Sequence, residues 1–232
     1  MGGQNEFCST DSDNSPKWSI LNALAWKLTP NWRFLHSHGG QEQLFGYKRA
    51  WITYNRVRIV SSAGYNYIPS ELLGCVVFNE VGGDPPSIKR NVVLPVRQHL
   101  PFQRSPMQTS EGAIKIQLRV ALSAIGLESM KLDHQQQDEL TTCLETDVFN
   151  IEVVAKLLYK LIIFDYPNID TMYLTDEQFV VAGSRYNRGT ARPLSEFIQS
   201  LNDSPGQADR VYTSYGRAML RHRDEVEKIL KW

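Results

Sequence analysis

The segment Ile68-Pro69-Ser70-Glu71-Leu72-Leu73-Gly74-Cys75-Val76-Val77-Phe78-Asn79-Glu80 constrains this chain more than any other stretch. Leu72, Leu73, Cys75, Val76, Val77 and Phe78 leave no polar stripe, so a helix built from them must be surrounded by protein rather than lie on a surface. Pro69 suits the first turn of that helix, and Gly82-Gly83 after Val81 suit a left-handed exit. A carboxylate, Glu80, stands where the buried helix ends. Low-dielectric surroundings and the negative end of the helix dipole both disfavour a charged carboxylate, so the pattern predicts an acid held protonated near neutral pH. Such an acid can protonate a leaving oxygen, as glycoside cleavage requires. The alternative is a carboxylate that caps a turn or pairs with an arginine such as Arg90.

A chain of 232 residues is long enough to bury a real core, and one domain with an N-terminal extension is the expected layout. Its 25 Lys and Arg balance 25 Asp and Glu, which leaves no whole-chain field to attract nucleic acid or an anionic membrane. The longest apolar runs, Leu72 to Phe78 and Leu157 to Phe164, fall well short of the roughly 20 residues that span a bilayer, so no membrane insertion is expected. Met1 to Glu6 has neither the basic nor the apolar part of a secretory signal; either a signal was removed or delivery follows another route. Cys8, Cys75 and Cys143 are odd in number and widely spaced, which predicts neither a disulfide framework nor a zinc site. Cys75 reads as core. His36, His38, His99, His134 and His222 show no ligand spacing beyond the His36-Ser37-His38 loop, so no metal and no cofactor is assigned.

Three regions follow from the patterning. Residues 1–15 are polar and read as a disordered or added-on tail. Residues 16–63 read as a helical extension: Trp18, Leu21, Leu24, Ala25 and Leu28 recur at helical spacing up to Pro30, and a second helix is expected from Gln43 to Val60 with Leu44, Tyr47, Trp51, Tyr54 and Val57 as its apolar face. Residues 64–232 carry Glu80. Within them, Asp84 to Gln108 is proline-rich and irregular, with a short strand expected around Asn91 to Val96; irregular stretches of this length usually serve function. Helical spacing returns from Ile114 through Ile125, ending at Gly126. Asp133 to Glu139 fits a helix start or a loop. Asp147 to Phe164 is the clearest amphipathic helix, with Ile151, Val154, Leu158, Leu161 and Ile162 on one face. Thr175 and Gln178 form a capping-box pattern that opens another helix, and Leu194 to Leu201 and Ser214 to Leu230 complete a mainly α fold with a small β element.

Four segments carry the candidate chemistry, in order: Phe78-Asn79-Glu80; Ser110-Glu111-Gly112-Ala113-Ile114-Lys115-Ile116; Phe149-Asn150-Ile151 through Leu158; and Arg185-Tyr186-Asn187-Arg188-Gly189. Together, across roughly Ile68 to Gly189, they resemble the motifs of the lysozyme superfamily that contains goose-type lysozymes and lytic transglycosylases. The resemblance implies a lysozyme-like helical domain over 64–232 in which Glu80 is the catalytic acid. Ser110 and Gly112 would meet the N-acetyl group of a sugar through a hydroxyl and exposed backbone amides, and Tyr186 and Asn187 would bring a phenol and an amide to the cleft wall. Read locally, Thr109 or Ser110 could instead be a helix N-cap, and Tyr186-Asn187 the end of a helix with Gly189 as its exit. Lys115 stands where the family usually has Gln, Glu111 where it commonly has an apolar or aromatic residue, and Val154 where Gly is usual.

The activity implied is cleavage of the β-1,4 bond between N-acetylmuramic acid and N-acetylglucosamine in peptidoglycan. Hydrolysis needs a second carboxylate, for which Asp84 and Glu111 are the candidates; a lytic transglycosylase uses one glutamate and closes a 1,6-anhydro ring. The expected partners are peptidoglycan glycan strands and, for an antibacterial toxin delivered by a type VI machine, a cognate immunity protein. The expected place of action is the bacterial periplasm or cell wall. A phage endolysin, a non-catalytic peptidoglycan-binding domain and a chitin-directed enzyme are the alternatives.

Overall fold

The computed structural model describes residues 5–8, 40–82 and 105–231. Among these the protein is mainly helical with one two-stranded antiparallel hairpin. Helix α1 (Gly40–Tyr65) is followed by α2 (Ser70–Glu80), a 3-10 turn (Pro106–Gln108) and strands β1 (Ser110–Glu111) and β2 (Ile116–Gln117). Then come α3 (Leu118–Ala124), α4 (His134–Leu144), α5 (Asp147–Asp165), α6 (Asp176–Arg188), α7 (Leu194–Asn202), a second 3-10 segment (Ala208–Thr213) and α8 (Ser214–Lys231). The helix expected near Trp18, the strand expected at Asn91 to Val96, and Asp84 lie outside the described residues.

Helix α2 occupies the centre. Every residue from Leu72 to Phe78 is buried, as the missing polar stripe requires, and α1, α5, α6 and α8 all pack against it. Three helix-interior glycines let α8 approach its neighbours closely. A methyl group added at Gly74 of α2 would come within 2.6 Å of Val226, one at Gly183 of α6 within 2.3 Å of the Met219 sulfur, and one at Gly216 of α8 within 2.0 Å of the Val180 carbonyl. These crossings fix α8 against both α2 and α6, and thereby set the distance between the two helix ends that carry Glu80 and Tyr186.

Helix α1 buries Trp51, as its apolar spacing suggests, but the rest of its buried stripe departs from the expected face. Trp51, Ile52, Ile59 and Ala63 lie in the core with Lys48 and Asn55, whereas Tyr54 and Val57 are 45% and 70% exposed. The stripe is set by polar partners as well as apolar area. Asn55 donates to the Asp147 carboxylate at 2.8 Å, tying α1 to the first turn of α5, and Lys48 reaches the end of α2. A buried polar group is tolerated only when its hydrogen bonds are made, and here they are. The buried residues of α1 belong to the same hydrophobic cluster as those of α2 and α5.

The helical pattern expected from Ile114 to Ile125 breaks in two. Ser110 pairs with Gln117 and Glu111 with Ile116 in the hairpin, and the helix begins only at Leu118. Asn150 decides this: its side-chain amide accepts from the Ile114 backbone N–H at 2.8 Å and donates to the Ile114 carbonyl at 3.1 Å. Gly112, at φ 81°, lets the turn press onto α5; a side chain there would meet the Leu144 carbonyl at 2.4 Å and the Asn150 amide at 2.7 Å. Asp133 caps α4 with a full capping box to Gln136, so Asp133 to Glu139 is a helix start, and Thr175 caps α6 in the same way with Gln178.

The cysteine expectation is overturned. Cys8 and Cys143 form a disulfide that closes a sequence separation of 135 residues. It holds residues 5–8 on α4, where Asn5 donates to the Glu139 carbonyl at 3.0 Å. Wide spacing hid this pair, because a bridge depends on proximity in space and not along the chain. Cys75 is free and buried in α2.

Candidate functional site

An open groove of about 660 Å³ runs from the end of α2, past the hairpin and α3, to the end of α6. Leu157, Leu161 and Ile116 contribute apolar surface to it. The groove draws Glu80, Ser110, Lys115, Tyr186 and Asn187 together from three well-separated segments. Each arrives by its own local rule. Glu80 is the last residue of a helix whose body, Leu72 to Phe78, is buried. Ser110 and Lys115 flank the turn that Asn150 clasps, and Tyr186 and Asn187 lie in the last turn of α6 before the positive-φ exit at Gly189.

Glu80 is half-buried and accepts a 2.8 Å hydrogen bond from the Tyr215 hydroxyl at Oε1. Its Oε2 makes no hydrogen bond among the described residues. Tyr186 lies beside Tyr215, ring centres 6.1 Å apart, and its hydroxyl donates to the Lys115 carbonyl at 3.2 Å, which bridges α6 to the hairpin. Burial, and then the negative charge of Glu80, raise both tyrosine hydroxyls well above the ordinary phenol range. Both therefore stay protonated donors at any working pH.

Behind Glu80 lies Lys48, only 7% exposed. Its ammonium donates to the carbonyls of Phe78 and, at 3.1 Å, of Asn79. A cation thus meets the negative end of the α2 dipole, which the sequence had suggested would bear on Glu80 alone. Burial pulls the Lys48 ammonium down to about 8; the Glu80 carboxylate opposes the shift and Lys115 adds to it. Sequence reading missed both Lys48 and Tyr215. Lys48 could have been found on the stripe Lys48-Ile52-Asn55-Ile59, three to four residues apart, which puts a charged residue on a buried face. Tyr215 had one signal, its place beside the helix-interior Gly216, since an isolated glycine in a helix usually marks a close approach.

Two candidate site residues sit elsewhere. Glu111 is 1% exposed and faces the interior side of the hairpin, opposite to Ser110, as strand alternation requires. Gly112 is packed against Leu144 and Asn150 and does not line the groove. Among the described lining residues Glu80 is the one carboxylate. Arg185, in the Tyr-Asn segment, is also structural. Its guanidinium makes two 2.7 Å bonds to Asp165, donates to the Arg192 carbonyl at 2.6 Å and stacks on Phe197, with both charged side chains buried. This pair anchors the C-terminal turn of α6 to that of α5.

Among the described residues no group of His, Cys, Asp or Glu is placed to hold a metal ion, and no helix is long and apolar enough to cross a membrane. Compared with protein-family models, with curated proteins and with solved structures, the chain matches none.

Proposed function

We propose that this protein is a peptidoglycan glycosidase of lysozyme-like architecture that cleaves the β-1,4 bond between N-acetylmuramic acid and N-acetylglucosamine. The observation that carries the reading is the convergence in one open groove of Glu80, Ser110, Lys115, Tyr186 and Asn187, the residues for which the family resemblance had implied a shared site. A groove, rather than a closed pocket, suits a polymer that enters and leaves at both ends. Tyr215 occupies Oε1 of Glu80, so Oε2 is the oxygen left to meet the bridging oxygen of the substrate. Glu80 in its protonated form transfers the proton as the glycosidic bond breaks, and the apolar surface contributed by Leu157 and Leu161 keeps water from competing along that side. Ser110 and Asn187 supply a hydroxyl and an amide for sugar substituents.

The Cys8–Cys143 disulfide supports action outside the reducing cytoplasm, where peptidoglycan lies, because such bonds persist in oxidising compartments. Delivery as an antibacterial toxin, with an immunity protein that plugs the groove, is the biological setting that fits this reading best. A second reading, lytic transglycosylation to 1,6-anhydro products, is favoured by Glu80 being the one carboxylate among the described lining residues. Digestion of purified sacculi followed by mass spectrometry tests both. Hydrolytic and anhydro products differ by one water, and Glu80→Gln should lower turnover by about 10²–10⁴-fold. Sacculi left intact by the wild-type protein would refute the glycosidase reading.

A further inference from the structure

Helix α4 has a small apolar stake in the core. It contributes Leu140 and Leu144 to the hydrophobic cluster, and its other buried positions are Gln137, Thr141 and Cys143. Residues 5–8 hold it from outside. The Cys8–Cys143 disulfide pins them to the last turn of α4, and Phe7 packs against the core cluster. The Asn5 side chain donates to the Glu139 carbonyl and accepts from the Phe7 and Cys8 backbone N–H groups at 2.9 Å. Gln136, in the first turn of the same helix, donates to the Glu6 carboxylate at 3.0 Å. The segment is thus a strap that runs along α4 from its first turn to its last.

The strapped end of α4 is also the floor beneath one wall of the groove. The Cys143 carbonyl accepts from the Thr146 backbone N–H at 3.0 Å and from its hydroxyl at 2.8 Å, which fixes the short turn into α5. One helical turn further on, Asn150 clasps Ile114, and the Leu144 carbonyl lies so close under Gly112 that an added methyl group would meet it at 2.4 Å. Ser110 and Lys115 flank that turn, and the Lys115 carbonyl accepts from the Tyr186 hydroxyl. An unbroken set of contacts therefore runs from the disulfide through Leu144 to the groove.

We infer that the Cys8–Cys143 pair is a redox gate on the groove: as two thiols it leaves α4 and the hairpin above it loosely held, and as a disulfide it closes the strap and sets Ser110 and Lys115 in place. This rests on the proposed glycosidase reading and adds the condition under which that site is complete. Closure is a thiol–disulfide exchange with a small-molecule or protein disulfide as oxidant. The Cys8 thiolate attacks one sulfur of the donor, and Cys143 then displaces the mixed disulfide. One S–S bond forms here, the donor's S–S bond becomes two thiols, and two electrons and two protons pass from the cysteine pair to the donor. Cys143 is fully buried and Cys8 half-buried, so exchange enters at the Cys8 sulfur. Cys75 stays out of it, because burial in α2 pushes its thiol far above the ordinary range and leaves no thiolate to react. Such a gate suits an enzyme made in a reducing cytoplasm and used in an oxidising compartment.

The experiment compares the oxidised protein, the same protein reduced with a phosphine, and Cys8→Ser. Hydrogen exchange at the Ile114 backbone N–H, which Asn150 accepts, reads the hairpin independently of activity. Reduction should speed that exchange about tenfold, lower the melting temperature by about 5–15 °C and cut sacculus turnover about tenfold, and reoxidation should restore all three. Cys8→Ser should behave as the reduced protein and ignore the reductant. Two forms that cut sacculi equally, or that exchange Ile114 equally, overturn the gate without touching the glycosidase reading. A lower melting temperature with exchange and turnover unchanged also overturns it, since the disulfide then serves stability alone. Sacculi left intact by the oxidised protein, with exchange at Ile114 still following the redox state, overturn the glycosidase reading while redox control of the groove stands.

Discussion

The two walls of the groove are built on opposite principles. The α2, α6 and α8 wall is close-packed through Gly74, Gly183 and Gly216, is anchored by the buried Arg185–Asp165 pair, and delivers Glu80, Tyr215 and Tyr186 on helix ends with little freedom. The facing wall, formed by the hairpin and the exposed sides of α3 and α5, presents Lys115, Arg119 and Lys160 on longer side chains, with Arg119 resting on the Gln117 side chain and Lys160 on the Ser123 carbonyl. A reacting proton must be placed to a fraction of an ångström, whereas charge recognition tolerates several. The difference teaches that rigidity is concentrated at the carboxylate, and that variability can be accepted across from it.

The largest effect that could break this contrast lies at the anchor. Removing one member of a fully buried, bidentate pair leaves an unpaired charge in the core, so Arg185→Ala or Asp165→Ala should destabilise by about 3–5 kcal/mol in urea denaturation. A loss of less than about 1 kcal/mol would show that the end of α6 does not depend on the pair. Next in size is Gly216→Ala. The added methyl group meets backbone at Val180, which cannot rotate away, so α8 must shift and take Tyr215 with it. Stability should fall by about 1–3 kcal/mol, and sacculus turnover should fall further than the loss of folded protein explains, because the bond to Glu80 is stretched. If activity per folded molecule is unchanged, the close crossing serves packing alone.

The smallest expected change is at Lys48 and has the opposite sign. Its folded-state value of about 8 lies below the ordinary lysine value of 10.5. Between these two the unfolded chain binds more protons than the folded one, so stability should rise as pH increases from about 8 to 10.5 and stay lowered below 8. Lys48→Met removes the buried charge and should flatten that rise. At pH 7 it should gain about 1 kcal/mol, since the relief of burial is partly offset by lost hydrogen bonds to the α2 carbonyls. The same variant should lose activity through a loosened Glu80, a split that thermal melts and sacculus assays at pH 7 would read directly. A melting temperature lower than wild type at pH 7 would mean that Lys48 is a net stabiliser.

Elements defined by short-range rules were legible in the chain. The burial of α2 follows from seven consecutive residues without a polar stripe, α5 from its periodic apolar face, and the start of α6 from Thr175 with Gln178 three residues on. Glu80 was legible because a carboxylate at the end of a sealed helix has few ordinary uses, and Ser110, Lys115, Tyr186 and Asn187 because their order resembled a family's. Elements that depend on partners far along the chain were read less well. The helical spacing that starts at Ile114 covers residues 114–117, which form part of the hairpin instead, because nothing near Ile114 announces the Asn150 amide that bonds it from 36 residues away. The expected face of α1 holds at Trp51 and fails at Tyr54 and Val57, because Lys48 and Asn55 are buried only by virtue of α2 and Asp147.

The order of residues determined by itself that the protein is mainly helical, where most of its helices run, and that a carboxylate sits at the end of its most buried one. Local periodicity and capping chemistry act over a few residues, so they are written in the chain directly. Tertiary structure alone decided that Tyr215 and Lys48 attend that carboxylate, that Glu111 turns inward, that Cys8 finds Cys143, and that Lys115, Arg119, Lys160 and Arg188 face one groove. Each of these depends on distances between segments tens of residues or more apart, and such distances exist only once the helices have packed.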